Sequence, residues 1–264
     1  MALRVFKYQI IILLLLCGGA PNAFAQNQSV TNFRDAKRLI EKIHADQPIT
    51  FYCGCTYDRN KPSFDQCGYK PIKNNKRASR IEWEHVVPAS QFGRSFTEWT
   101  KGDALCVKPS GKSFKGRKCA QKASPKYNLM AADLYNLQPT IGEVNALRRN
   151  YPFREIAGEA RAFGMCDIEI HYKTVEPATR IRGDIARTYL YMAGAYKGRN
   201  ILKPATRDQM LKWSEADPVD SWECERHERI RAIQKAGNAV LDDLCPARLD
   251  TQKPFHEQVD AVAQ

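Results

Sequence analysis

Eight cysteines behind an export leader constrain this chain more than any other feature of its 264 residues. Arg4 and Lys7 precede an apolar run over residues 8–16, and Ala23-Phe24-Ala25 supplies small residues just before Gln26. That pattern is a secretory signal peptide with cleavage predicted after Ala25, and the run is too short for a stable membrane span. A lipid anchor on Cys17 is the rival reading. It is disfavoured because Leu16 is bulky where such sites take a small residue. Cleavage leaves Cys53, Cys55, Cys67, Cys106, Cys119, Cys166, Cys224 and Cys245. An even set in an exported chain reads as up to four disulfides, although about a hundred full pairings are open. Cys53-Gly-Cys55 lacks zinc-ligand spacing and has no close histidine. Cys106 with Cys119, and Cys224 with Cys245, are the favoured pairs because each closes a local loop.

The remaining pattern describes one mixed α+β domain, largely helical. Apolar residues at helical spacing over 31–46 predict a helix that buries Phe33, Ala36, Leu39, Ile40 and Ile43, with His44 on the surface or at the cap. Short β-prone runs at 49–52 and 80–83 are separated by Gly, Pro and Asn. Residues 108–118 (KPSGKSFKGRK) form a basic loop between Cys106 and Cys119. Thr140 and Glu143 have capping-box spacing for a helix that would carry Asn145 in its second turn, and Asp220 with Glu223 repeats the pattern. A strand is expected at 168–172, and helices at 184–196, 206–215 and 220–244. The expected division is a leader at 1–25, a helical lead-in at 26–50, the main body at 51–245 and a polar tail at 246–264.

Removing Arg4 and Lys7 with the leader lowers the formal charge from +12 to +10. Such an excess points to an anionic partner: nucleic acid, anionic lipid or acidic polysaccharide. No segment after the leader is apolar enough to span a membrane, so a soluble mature protein without membrane contact is expected.

Five histidines are available for chemistry, and four lack companions. His171, His227 and His256 read as structural or solvated, like His44. His85 stands in RIEWEHVVPA (80–89), beside Glu84 and near Glu82 at the end of a predicted strand. Alternation puts Glu84 and His85 on opposite strand faces, so a shared site must wrap around the strand end before Pro88. A buried histidine satisfied within a strand is the plain alternative. Asn136 and Asn145 lie in DLYNLQPTIGEVN (133–145). Neutral amide oxygens suit Mg²⁺ or Ca²⁺ when a carboxylate supplies charge. For Asn136 a turn or capping role is the better reading.

YCGC (52–55), RIEWEHVVPA (80–89), DLYNLQPTIGEVN (133–145) and RGDIAR (182–187) together resemble the bacterial endonuclease I family. These are exported, non-specific nucleases of the ββα-metal, or His-Me finger, superfamily. The similarity runs from about Phe51 to Cys245. It implies a ββα active-site unit in which His85 is the general base and Glu84 and Asn145 are the metal ligands. The family's phosphate-binding arginine stands just before a cysteine. Arg117 lies one position away from that place, with Lys115 and Lys118 as alternatives.

The resemblance implies a sugar-non-specific endonuclease that uses one Mg²⁺, with Ca²⁺ or Mn²⁺ able to take its place. It would cut DNA, and RNA too, to leave 5′-phosphate and 3′-hydroxyl ends. Lys108, Lys112, Lys115, Lys118, Arg148 and Arg149 are the expected phosphate contacts, which carry little sequence information. A periplasmic or secreted monomer is expected. The competing readings are an inactive nucleic-acid-binding protein of the same fold and an exported metallohydrolase acting on another substrate, such as a peptidase. The intact Glu84, His85 and Asn145 oppose the first, and the lack of His-Glu-x-x-His opposes the second.

Overall fold

Helical spacing of apolar residues closes the chain into its first helix, α1 (Phe33–Ile43), in a computed structural model that describes residues 25–72, 76–158 and 161–245. Asn32 caps it by accepting from the Asp35 amide at 3.0 Å, and Ala36, Ile40 and Ile43 are buried. The remainder of the leader before Ala25, the 246–264 tail and His256 lie outside the described residues. His44 is the C-cap of α1, as one of its two expected readings has it, but it is buried rather than on the surface. Its ring is buried between Trp83 and Trp222, and Nε2 accepts from Arg226 Nε at 3.4 Å.

The run at 49–52 is not a strand. Ile49 makes one isolated bridge to Thr56, and the chain turns back so that the Gly54 amide donates to the Thr50 carbonyl. Gly54 takes φ +67°, which a side chain would strain. This turn holds two cysteines that bridge in different directions, Cys53 to Cys166 and Cys55 to Cys67. A small hairpin of β1 (Tyr57–Asp58) and β2 (Lys61–Pro62) follows.

β3 (Ile81–His85) pairs antiparallel with β4 (Leu137–Ile141), from Ile81 opposite Ile141 to His85 opposite Leu137. Between these strands run α2 (Ala89–Gly93), α3 (Thr97–Thr100), α4 (Arg117–Ala123) and α5 (Pro125–Ala131). Helix α6 (Gly142–Arg148) follows β4 directly and packs on both strands, which completes a ββα unit. At the junction, a Cβ on Gly142 would meet the Arg77 carbonyl at 2.6 Å. The predicted Thr140–Glu143 capping box does not form. Pairing with Glu82 keeps Thr140 extended in β4, and the Glu143 carboxylate instead accepts from Tyr69 Oη at 2.6 Å and the Ile72 amide at 3.1 Å.

The C-terminal half adds the hairpin of β5 (Ile168–His171) and β6 (Thr174–Pro177), then α7 (Arg182–Ala195) packed on α8 (Pro204–Ala216). The long helix expected at 220–244 is two: α9 (Ser221–Gln234) and α10 (Ala239–Leu244). Lys235 ends α9 in the left-handed region, and Asn238 caps α10 by accepting from the Val240 amide. Asp220 caps α9 as expected, but Glu223 turns to Arg187, with N–O distances of 2.6 to 3.0 Å.

Four disulfides use all eight cysteines, including the two local pairs expected, Cys106–Cys119 and Cys224–Cys245. Cys53–Cys166, across a separation of 113 residues, closes the longest loop. In the chain-entropy account such a loop contributes about 4–5 kcal/mol. The fold is α+β around one contiguous apolar core. No helix among the described residues is long and apolar enough to cross a membrane.

Candidate active site

A two-stranded sheet leaves β3 with β4 on one side only. Side chains from both of its faces therefore reach one groove along the free edge. All five residues of β3 line a cleft of about 1070 Å³, together with Phe33, Arg117, Asn145 and Arg149. This resolves the alternation of Glu84 and His85: the cleft wraps the strand end, where Pro88, Ala89 and Ser90 also line it.

His85 is half-buried against the ring of Phe33, with Phe92 behind. Its Nε2 lies 2.8 Å from the Ala131 carbonyl at the end of α5. A carbonyl only accepts, so Nε2 carries the proton and the lone pair is on Nδ1. Burial first, with the nearby Arg117 and Arg148 charges, brings the imidazole pKa down to about 4 against the pull of that carbonyl. The ring is therefore neutral at physiological pH.

Glu84 is buried, and both of its protein hydrogen bonds end on Oε1: Arg148 Nη1 donates at 2.8 Å and Tyr52 Oη at 3.4 Å. Burial outweighs the Arg148 guanidinium and lifts the carboxyl to about 7. Asn145, on α6, donates through Nδ2 to Glu82 Oε2 at 3.1 Å. Arg77 and Arg80 also hold Glu82. Glu84 and Asn145 line the same cleft, and among the described residues no donor bonds Glu84 Oε2 or Asn145 Oδ1. They are hard oxygens beside an under-compensated buried carboxylate, which fits a divalent cation. Among the described residues no three His, Cys, Asp or Glu side chains form a closed metal cage. An ion held here would keep water in its shell.

Arg117 opens α4 two residues before Cys119, with its guanidinium 6.0 Å from the Trp99 ring. It is exposed and lines the cleft, as does Arg149. Lys108, Lys112, Lys115 and Lys118 are exposed but do not line it. Lys108 and Lys112 meet in a tight turn, the Lys108 amide donating to the Lys112 carbonyl at 3.0 Å. Arg148 requires correction. It is fully buried beneath Glu84, so it has no access to a nucleic-acid backbone. Asn136 is structural: it is buried and bonds both the amide and the carbonyl of Val87. His227 is structural too, bridging Tyr135 and Asp242.

Several cleft residues escaped the sequence reading. Arg34, Lys37 and Arg38 of α1, with Arg59, Arg77 and Arg80, add a cationic wall to the cleft that also holds Arg117. The helical lead-in is thus one side of the site. Its signal was present in the spacing of Arg34, Lys37 and Arg38, one helical face opposite the apolar one. Nothing local, however, says what that face opposes.

A sequence profile of the endonuclease I family matches residues 19–245. An endonuclease-1 of Buchnera aphidicola subsp. Acyrthosiphon pisum is 40% identical over 229 residues, covering 84% of this chain and 85% of its own length. An extracellular deoxyribonuclease of Aeromonas hydrophila is 37% identical over 248 residues, 91% of this chain and 100% of that protein. A periplasmic deoxyribonuclease of the same organism is 38% identical over 227 residues, 83% and 89% respectively.

Proposed function

This chain belongs to the endonuclease I family of metal-dependent nucleases, and from that premise we propose that the cleft along β3 cuts DNA and RNA by phosphodiester hydrolysis with His85 as general base. It is an exported nuclease, in line with relatives named extracellular and periplasmic deoxyribonuclease. The observation that carries the assignment of the base is the hydrogen bond from His85 Nε2 to the Ala131 carbonyl, which commits Nδ1 to accepting a proton.

A phosphodiester repels nucleophiles, so the site must supply a deprotonated water and offset charge on the phosphoryl oxygens. Nδ1 of neutral His85 takes a proton from water, and the resulting hydroxide attacks phosphorus. The bond from phosphorus to the 3′ oxygen breaks, and that oxygen takes a proton from solvent. The products are 5′-phosphate and 3′-hydroxyl ends. Arg117 grips the phosphate through its planar fork of donors. Glu84 and Asn145 would hold Mg²⁺, which would offset charge on the transition state and the leaving oxygen. The cationic wall binds the backbone without reading bases, so sequence preference is weak and the sugar matters little.

The test uses oxidised residues 26–264 on supercoiled plasmid and on RNA, with Mg²⁺ or EDTA, beside His85→Ala. Cleavage of both substrates that vanishes with EDTA and in the variant supports the reading. Undiminished cleavage by His85→Ala sinks the assignment of the base, and intact RNA restricts the activity to DNA.

A further inference from the structure

Asn145 and Arg148 are one helical turn apart on α6, so they share a face turned towards β3. Asn145 reaches the cleft. Arg148 goes beneath it and is completely buried. Its Nη1 donates to Glu84 Oε1 at 2.8 Å and to the His85 carbonyl at 3.1 Å, and its Nη2 donates to the Val86 carbonyl at 2.7 Å. The guanidinium carbon sits 4.5 Å from the centre of the Phe153 ring, over its face. One rigid fork thus holds a carboxylate and the two carbonyls at the point where β3 ends. These are the carboxylate, and the backbone of the base, that the proposed reaction uses.

We propose that Arg148 is the positioning residue of the metal site, holding Glu84 by Oε1 so that Oε2 is presented to the cation, and locking the strand end that carries His85. The proposal rests on the reading of Glu84 and Asn145 as metal ligands. One turn of α6 then sets both ligands, Asn145 directly and Glu84 through Arg148. A lysine cannot reproduce this arrangement, because a single ammonium lacks two coplanar nitrogens aimed at three acceptors. Outer partners of metal ligands commonly account for about 10–100-fold in metal affinity.

The experiment titrates metal-free mature protein with Mn²⁺ by electron paramagnetic resonance and isothermal calorimetry, for the wild type, Arg148→Lys, Arg148→Met, Glu84→Gln and Asn145→Ala. Melting temperature, the Mg²⁺ concentration giving half-maximal rate, and KM for DNA at saturating Mg²⁺ are measured alongside. Arg148→Lys keeps the buried charge and is the variant expected to fold. It should bind Mn²⁺ about tenfold more weakly and need correspondingly more Mg²⁺, with KM for DNA little changed. Arg148→Met, if it folds, should lose more. A lowered melting temperature with wild-type Mn²⁺ affinity in Arg148→Lys, while Glu84→Gln loses the metal, makes Arg148 merely structural and overturns the proposal. A raised KM with unchanged metal affinity makes it a substrate contact and also overturns it. If neither Glu84→Gln nor Asn145→Ala weakens Mn²⁺ binding, the ligand assignment itself is wrong and both readings fall.

Discussion

The ring of Phe33 stacks on the imidazole of His85, with centroids 4.9 Å apart and planes 26° from parallel. A residue from the first helix thereby forms one wall of the proposed base. With Nε2 tied to Ala131 and one face covered by Phe33, the imidazole is held in one orientation. Phe33→Ala should lower kcat about tenfold with KM for DNA nearly unchanged, since misplacement of a catalytic group costs rate rather than binding. Phe33→Leu should recover part of the loss. Steady-state kinetics on a short duplex decide it, and an effect confined to KM would remove the positioning role.

The cationic wall separates two sets of basic residues that look alike in the sequence. Arg34 and Arg59 line the cleft, whereas Lys108 and Lys112 do not. Binding of an inactive His85→Ala protein to DNA should show a log–log salt slope reduced by about one unit for each of Arg34→Ala and Arg59→Ala. Lys108→Ala and Lys112→Ala should change it little. Equal effects at all four positions would mean that DNA extends over the disulfide-bound finger.

Cys106–Cys119 ties down the start of α4, where Arg117 stands. Replacing both cysteines by serine should cost stability of about 3 kcal/mol or less, by loop closure. Activity should fall further than in a Cys224→Ser, Cys245→Ser protein assayed at the same distance below its melting temperature, because the second bridge holds α9 to the end of α10 and no cleft residue. Denaturant melts paired with plasmid assays test this, and equal losses would detach Arg117 from its bridge.

Acid should withdraw the stability that the buried neutral histidines contribute from about pH 6.5 downwards. His44 is buried beside the Arg226 and Arg229 guanidiniums, and burial first, then those charges, hold its pKa well below the ordinary value. Burial likewise lowers His227, against the pull of Asp242 and Glu228. Since the unfolded chain binds these protons first, the stability is fully present above the unfolded pKa and is lost as pH falls towards the folded one. The raised carboxyl of Glu84 opposes this trend, so the readout is a difference: between about pH 5 and 8 the wild type should lose more melting temperature on acidification than His44→Gln. An unchanged slope in that variant would place the titration elsewhere.

Much of the chemistry was legible in the chain because it is written in local strings. RIEWEHVVPA carries a carboxylate and a histidine on consecutive residues, and GEVN places an amide near a helix start. The local bridges Cys106–Cys119 and Cys224–Cys245 followed from proximity in sequence. The hidden parts lay where distant segments meet. No strand is expected over 137–141 from the sequence, yet Pro139 sits within β4 opposite Trp83. Thr140 read as a cap, but strand pairing keeps it extended. The break between α9 and α10 was missed because one apolar pattern runs across both helices.

Arg148 and Arg149 show the division most clearly. They are neighbours of the same type, and residue type and spacing put both near an anionic substrate. Arg149 lies exposed in the cleft, and Arg148 is fully buried against a carboxylate 64 residues earlier in the chain. Residue chemistry and spacing are local properties, and they specify which reaction the chain can perform and how its bridges can close. Which charge meets solvent and which meets Glu84 depends on the β3–β4 register and on the face that α6 turns inward. Both arise when remote apolar surfaces pack into one core, so no short stretch of sequence contains them.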